Sequence, residues 1–244
     1  MEITYIGHSG FLVEMQDAYF LFDYYQGDIP DFDQKKDLYI FASHFHKDHY
    51  NKEILEYFAT HEKSRFIVSR DIRIQKHLQK KYGEDVELEG RVYQLKANTV
   101  TEIPDEEEVL RIETFKSTDI GVAYLITYEG KTIYHAGDLN MWIWAGETKA
   151  YNNDMKAKYL KQMELLRGRD IDAAFVPLDP RLEADSDRGL EVFLNMTNTK
   201  HVFPMHCWEQ YDVIENFKQK PEHQKYKEQV MSIHGRGEKF SILE

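Results

Sequence analysis

Four side chains able to bind a metal ion lie within six consecutive residues: His44, His46, Asp48 and His49, in the run Ser43-His44-Phe45-His46-Lys47-Asp48-His49. A random chain of this composition would contain H-x-H-x-D-H about two times in a thousand, so the cluster is not an accident of its 11 histidines. Residues two apart in extended backbone point the same way, so His44 and His46 can share one ion. Asp48 and His49 fall past the turn and can reach a second. Imidazole and carboxylate suit zinc, and they also suit iron or manganese. Without an ion, four such groups on one loop are crowded and costly to bury. The bland alternative is a polar loop whose Asp48 caps the following helix.

Two later segments carry matching chemistry. Thr132-Ile-Tyr-His-Ala-Gly-Asp138 reads as a strand ending in Gly-Asp, where glycine permits close backbone approach and a carboxylate can bridge two ions. Val202-Phe-Pro-Met-His206 is another strand ending in a histidine. Each is weak alone, since a Gly-Asp after a strand is usually a turn and a lone histidine usually structural.

These residues need rigid elements behind them. Strand patterns occupy Glu2–Ile6, Gly10–Met15 and Ala18–Asp23 at hairpin spacing, and Leu38–Ala42 is a continuous apolar run of central-strand length. The metal-type loop follows that run directly, and Asn51–Thr60 reads as a helix. Arg65–Ser69 is a strand; Asp71–Tyr82 is a helix with Asp71 as N-cap and Gly83 beyond its end. Short strands follow from Val86 to Tyr134, including 109–115, 122–128 and 132–135, with a solvated acidic turn over Asp105–Glu108. Lys149–Arg167 is a long helix stopped by Gly168, and its stripe of Met155, Tyr159, Met163 and Leu166 reads as core. Strands over Ile171–Pro177 and His201–Phe203 alternate with helices over Gly189–Asn195 and Val213–Lys218. The alternation is too fine for separate domains, so one domain spanning 1–244 is expected.

Composition limits the function. With 43 Asp+Glu against 31 Lys+Arg the net charge is −12, which argues against tracking a long nucleic acid. No basic start and no apolar run of spanning length occurs, so no membrane association and a cytoplasmic location are expected. The one cysteine, Cys207, follows His206 and reads as a buried small hydrophobe. His61 and His77 read as surface residues on early helices; His8, on the first turn, and His135, on the Gly-Asp strand, can approach the site, although a structural role is the favoured reading for each.

The order H-x-H-x-D-H, strand–Gly-Asp, strand–His resembles the metallo-β-lactamase-fold metallohydrolases over nearly the whole chain. The wording around the ligands (Ser117-Thr118-Asp119, His135-Ala-Gly-Asp-Leu-Asn140, Pro177-Leu-Asp-Pro-Arg181, Pro204-Met-His206) is similar to small, single-domain bacterial members of undefined substrate. The resemblance implies an α+β fold, a four-layer αβ/βα sandwich with a dinuclear site at one edge. It implies that His44 and His46 bind the first metal, that Asp48, His49 and His206 bind the second, and that Asp138 bridges. Asp23, closing the third strand, is implied to orient a ligand histidine or the loop. The family's third histidine on the first metal has no counterpart in Glu113–Gly121; Asp119 substitutes as an oxygen ligand, or His44, His46, Asp138 and water hold that ion. The expectation is a complete second site and a weaker first one. Trp142 and Trp144, at the position of the family's pocket rim, either stack on substrate or belong to the core. For Arg181 a salt bridge to an acid outweighs a contact to a substrate anion.

The implied function is a metal-dependent hydrolase. One or two ions, zinc or otherwise manganese or iron, would supply hydroxide to a small ester, whether phosphoester, phosphodiester or lactone, with Asp48 accepting the proton. A small, anionic molecule fits as substrate. The alternative is a metal-binding or sensing protein with a degenerate first site.

Overall fold

The computed structural model describes residues 1–104 and 108–242. Of the acidic turn expected over Asp105–Glu108, residues 105–107 lie outside the described residues. Two compact units form, Met1–Lys96 with Gly235–Glu244, and Ala97–His234.

The first unit is built on a seven-stranded sheet. It contains β1 (Glu2–Gly7), β2 (Gly10–Glu14), β3 (Ala18–Phe22), β4 (Asp37–Ala42), β5 (Ser64–Ser69) and β6 (Val92–Leu95), with the C-terminal strand Lys239–Ser241 paired antiparallel to β1. β1, β2 and β3 form the antiparallel meander that the hairpin spacing predicts, and β3 to β6 run parallel. A parallel strand with both faces covered needs apolar residues at every position, and β3 and β4 are buried throughout. Their side chains sort by pleat. Phe20 stacks on Tyr39 at 5.2 Å and Phe22 on Phe41 at 4.8 Å on one face. Leu21, Leu38, Ile40 and Ala42 on the other join Ile54, Leu55, Phe58, Ile74 and Leu78 from the helical connections.

Those connections differ from the sequence reading. The helix expected over Asn51–Thr60 is two short pieces, a 3-10 turn at Lys52–Glu56 and α1 (Tyr57–Thr60), and Asn51 supplies the cap by accepting the Glu53 N–H. The next helix, α2 (Ile74–Tyr82), starts three residues later than expected. Asp71 is not its cap: the carboxylate accepts the backbone N–H of Phe45 at 2.8 Å and the Ser69 hydroxyl, which ties down the histidine loop instead. His61, expected at the surface, is fully buried with its ring edge-on to Phe32 at 6.1 Å. The chain turns extended at this residue, which folds the ring inward.

The second unit holds β7 (Val100–Pro104), β8 (Val109–Lys116), β9 (Val122–Tyr128), β10 (Lys131–His135), α3 (Lys149–Leu166), β11 (Asp170–Pro177), α4 (Arg188–Met196), β12 (Asn198–Met205) and α5 (Asp212–Gln219). Its six strands lie in the order β12-β11-β10-β9-β8-β7, parallel across β10, β11 and β12 and antiparallel beyond. The β9–β10 hairpin turns through Glu129 and Gly130, both at positive φ, as a two-residue reversal matching strand twist requires. The α3 stripe is core as expected, with Met155, Tyr159, Met163 and Leu166 buried, and the Tyr159 hydroxyl donates to the Gly189 carbonyl of α4 at 2.8 Å.

In both units the chemistry-bearing residues sit where parallel strands end. Asp23 follows β3, His44 to His49 follow β4, Asp138 follows β10, Asp179 follows β11 and His206 follows β12. Carboxyl ends of parallel strands are where α/β sheets usually bind ligands, because the loops there vary while the strands stay fixed.

Gly27 tests the packing of the first unit. It has φ +115, and a Cβ there would lie 2.4 Å from the Ile6 carbonyl oxygen. Gly27→Ala should cost about 3 kcal/mol in urea unfolding, whereas Gly130→Ala, with φ +70 but open space, should cost about 1 kcal/mol.

Candidate metal centre

In the first unit a single buried carboxylate organises the histidine loop. Asp23 is fully buried at φ +40; its Oδ1 accepts the Ser43 N–H at 2.7 Å, and its Oδ2 accepts the Ser43 hydroxyl at 2.6 Å and the His49 Nδ1–H at 2.7 Å. Having given its proton to Asp23, the Ser43 oxygen lies 2.9 Å from His44 Nδ1 and accepts from it. Both histidines are therefore held as Nδ1–H tautomers, which leaves their Nε2 lone pairs for another partner. His44 Nε2 faces His46 Nδ1 at 3.0 Å. Two such nitrogens share a proton or a cation, since two bare lone pairs at that distance repel.

Asp48 and His8 complete this half. One donor atom from each of His8, Asp48 and His49 lies within 4.8 Å of the others, with His8 Nε2 3.4 Å and His49 Nε2 3.8 Å from Asp48 Oδ2. Burial alone would raise the Asp48 carboxyl, but the His8 hydrogen bond and the His49 charge outweigh it and hold the group well below the usual carboxylate range. His8 was read as structural; the structure brings it to Asp48, from the tight β1–β2 turn where it takes φ +56.

The second unit repeats the device. His206 Nδ1 donates to Asp179 Oδ2 at 2.8 Å, which leaves Nε2 3.5 Å from Asp138 Oδ1. Asp179 is also fully buried. Burial alone would raise its carboxyl, yet hydrogen bonds from His206 and Arg181 pull it down to about 2. Asp138 is presented by a clamped loop: the Trp142 indole N–H donates to its carbonyl at 2.9 Å, and the Thr118 hydroxyl both accepts from Asn140 N at 3.0 Å and donates to Asn140 O at 2.6 Å. Gly189 makes room for this loop, since a Cβ there would lie 1.9 Å from Asn140 Oδ1. Asp119 offers a carboxylate oxygen within 4.8 Å of one from Asp138. Trp142 is buried and stacks on Trp144 at 6.2 Å. Cys207 is buried as expected, and burial pushes its thiol well above the ordinary range.

The donors in each unit suit a divalent metal: imidazole nitrogens with fixed tautomers, carboxylates beside them, and buried carboxylates orienting the rings. A model of the beta-lactamase superfamily domain matches residues 2–155. The chain belongs to the beta-lactamase superfamily. Among similar proteins, a UPF0173 metal-dependent hydrolase of Nanoarchaeum equitans is 24% identical over 215 residues, covering 84% of this chain and 83% of that one. Igni18, a metallo hydrolase of Ignicoccus hospitalis, has a TM-score of 0.62 at 19% identity and covers 99% of both chains. CmlA, a diiron β-hydroxylase of Streptomyces venezuelae, also has a TM-score of 0.62, at 12% identity, over 99% of this chain and 54% of its own. The fold is the metallo-β-lactamase fold, as the resemblance implied.

For this superfamily member the sequence reading overlooked Asp179 altogether and undervalued His8. A signal for Asp179 existed: an acid between Leu178 and Pro180, directly after the apolar strand Ala173–Pro177, is a carboxylate entering a buried place. His8 carried none, because a single histidine in Gly-His-Ser-Gly also describes an ordinary turn.

Replacing either orienting carboxylate by its amide tests the tautomer argument. In Asp23→Asn the amide NH2 replaces one acceptor oxygen and meets a donor from Ser43 or His49, and in Asp179→Asn it likewise meets a donor from Arg181 or His206. Each variant should fold with unchanged far-UV circular dichroism, and competitive chelator titration should show metal affinity lowered by about 10–100-fold.

Proposed function

We propose that this chain is a metal-dependent hydrolase of a small ester, a phosphoester, phosphodiester or lactone. Its metal ligands would be His44, His46, Asp48 and His49 from the first unit and Asp138 and His206 from the second. Zinc is the ion favoured by this imidazole-rich set, with manganese or iron compatible. The observation that carries the reading is the paired use of buried carboxylates. Asp23 and Asp179 each hold a histidine by Nδ1 and so turn its Nε2 towards a second carboxylate, Asp48 or Asp138, an arrangement characteristic of metal-ligating histidines. Family membership and the metal-dependent hydrolases among similar proteins support the same reading.

The bound metal would lower the pKa of water towards neutrality and polarise the scissile bond. The chain's residues would do the rest. The His8 hydrogen bond and His49 favour the charged form of Asp48, so its carboxylate would accept a proton only weakly and transiently. Its side chain keeps 26% exposure, and as a weak base it passes that proton on to solvent. Asp119 takes the place of an absent third histidine as an oxygen donor beside Asp138. Asp179 and Trp142 hold His206 and the Asp138 backbone so that neither reorganises during turnover.

Metal analysis of protein purified without chelator should find one or two divalent ions, and a panel of phosphate esters, phosphodiesters and lactones should reveal hydrolysis that chelator abolishes and added metal restores. Asp138→Ala and His49→Ala should each lose metal and reduce hydrolysis by at least 10³-fold, on the order of a removed transition-state stabiliser. Full activity in either variant would overturn the ligand assignment. Bound metal with no turnover on any ester would favour the sensing role.

A further inference from the structure

The chain has three tryptophans, Trp142, Trp144 and Trp208, and all three gather around one arginine and one histidine in the second unit. Trp142 stacks on Trp144, the Arg181 guanidinium carbon lies 5.7 Å from the Trp144 ring and 4.4 Å from the Trp208 ring, and Trp208 stands edge-on to His206 at 5.5 Å. Three separate segments, at Trp142–Trp144, Arg181 and His206–Trp208, thus build one cation–aromatic platform beside a proposed metal ligand.

A salt bridge explains only part of Arg181. Its Nε and Nη2 donate to Asp179 at 3.0 and 2.6 Å, yet Nη1 has no partner among the described residues, and the side chain is 46% exposed. Asp179 spreads its charge over five donors: the Arg181 backbone N–H, Nε and Nη2, Trp208 Nε1 and His206 Nδ1. Held by Asp179 on one edge, with its carbon over the Trp144 and Trp208 rings, the guanidinium has its other edge available as a two-proton fork. Trp208 keeps 38% exposure despite its size. The backbone is strained at the same place: Glu183 (φ 53), His206 (φ 64), Trp208 (φ 51) and Glu209 (φ 60) occupy the left-handed region, which non-glycine residues keep only when their surroundings enforce it.

We infer that Arg181, flanked by Trp144 and Trp208, is the substrate-recognition group of this enzyme. It binds an anionic oxygen group, carboxylate or phosphate, on a small molecule whose planar or apolar body lies against the indoles. The inference rests on the hydrolase reading for what happens next to the bound molecule, but the binding itself is testable apart from turnover.

Because every tryptophan lies in the platform, tryptophan fluorescence excited beyond the absorption of the 16 tyrosines reports on it. Benzoate, phenyl phosphate and neutral benzamide are titrated into the full-length protein, metal-loaded and metal-stripped. Expected is saturable quenching by benzoate or phenyl phosphate in both forms, the tighter of the two identifying the group, with benzamide at least tenfold weaker. R181M should weaken anion binding at least tenfold, and R181K, which keeps the charge but loses the fork, about threefold or more. Both variants are checked for circular dichroism and metal content, so that loss of the Asp179 contact is not mistaken for loss of binding. Benzamide binding as tightly as the anions, anion binding unchanged in R181M, or anion binding that vanishes with the metal would each overturn the inference. Absence of ester hydrolysis alongside Arg181-dependent anion binding would overturn the hydrolase reading alone.

Discussion

The Asp23 carboxylate is the constraint on which the first half of the proposed metal-binding set depends. It is fully buried, and an ionised carboxylate in such a place survives only with its oxygens filled by donors. Asp23 has three, and two come from Ser43, the residue that leads into the histidine loop. The third is His49 itself, and His44 is reached through the Ser43 hydroxyl. One buried charge thus dictates which nitrogen carries the proton on two rings. Removing it would do more than delete a hydrogen bond, because both rings could then turn or exchange tautomers. The second unit reaches the same result with Asp179 and His206, although its strand order and connections differ.

This dependence explains why the loops leave parallel strands. β3 and β4 are paired in register up to Phe22 and Phe41, so Asp23 and Ser43 emerge side by side without any long connection having to find its place. β11 and β12 pair from Asp170 with Asn198 through Pro177 with Met205, which delivers Asp179 and His206 in the same manner. Tolerances of a few tenths of an ångström are achievable there because the strands behind are packed on both faces with rotamer-locked aromatics and aliphatics.

The sequence made the first-row chemistry legible and the supporting chemistry less so. The ligand-type residues stand in dense or strand-terminal patterns, and the apolar runs behind them mark the strands with errors of one to three residues. The misreadings have a common cause. Local pattern makes Asp71 a helix cap and His61 a helix-surface residue, and it gives Asp179 no role at all. Their roles are set by residues distant in the chain: Asp71 by the Phe45 backbone, His61 by Phe32, Asp179 by His206 and Trp208. A buried carboxylate and an exposed one look alike in sequence. Their difference is the donor set, which is tertiary. The helix expected over Asn51–Thr60 fails for a local reason, since Asn51 caps a 3-10 turn that closes before a full α-helix can start.

The strained residues show what this arrangement costs. Of the non-glycine residues at positive φ among the described residues, His8, Asp23, His206, Trp208 and Glu209 belong to the loops that carry or support ligands. Each such conformation costs on the order of 1 kcal/mol or more, and glycine at those positions would relieve it. Glycine could not serve at His8, Asp23 or His206, because the side chain is the reason for the position. At Trp208 the same argument applies only if the indole has a task. Its Nε1 contributes one long hydrogen bond of 3.3 Å to an Asp179 that already has four other donors, which is too little to justify strain and a partly exposed tryptophan together. Its face against Arg181 is the more consequential contact. An anion bound at the platform, as proposed above, would give the indole that task.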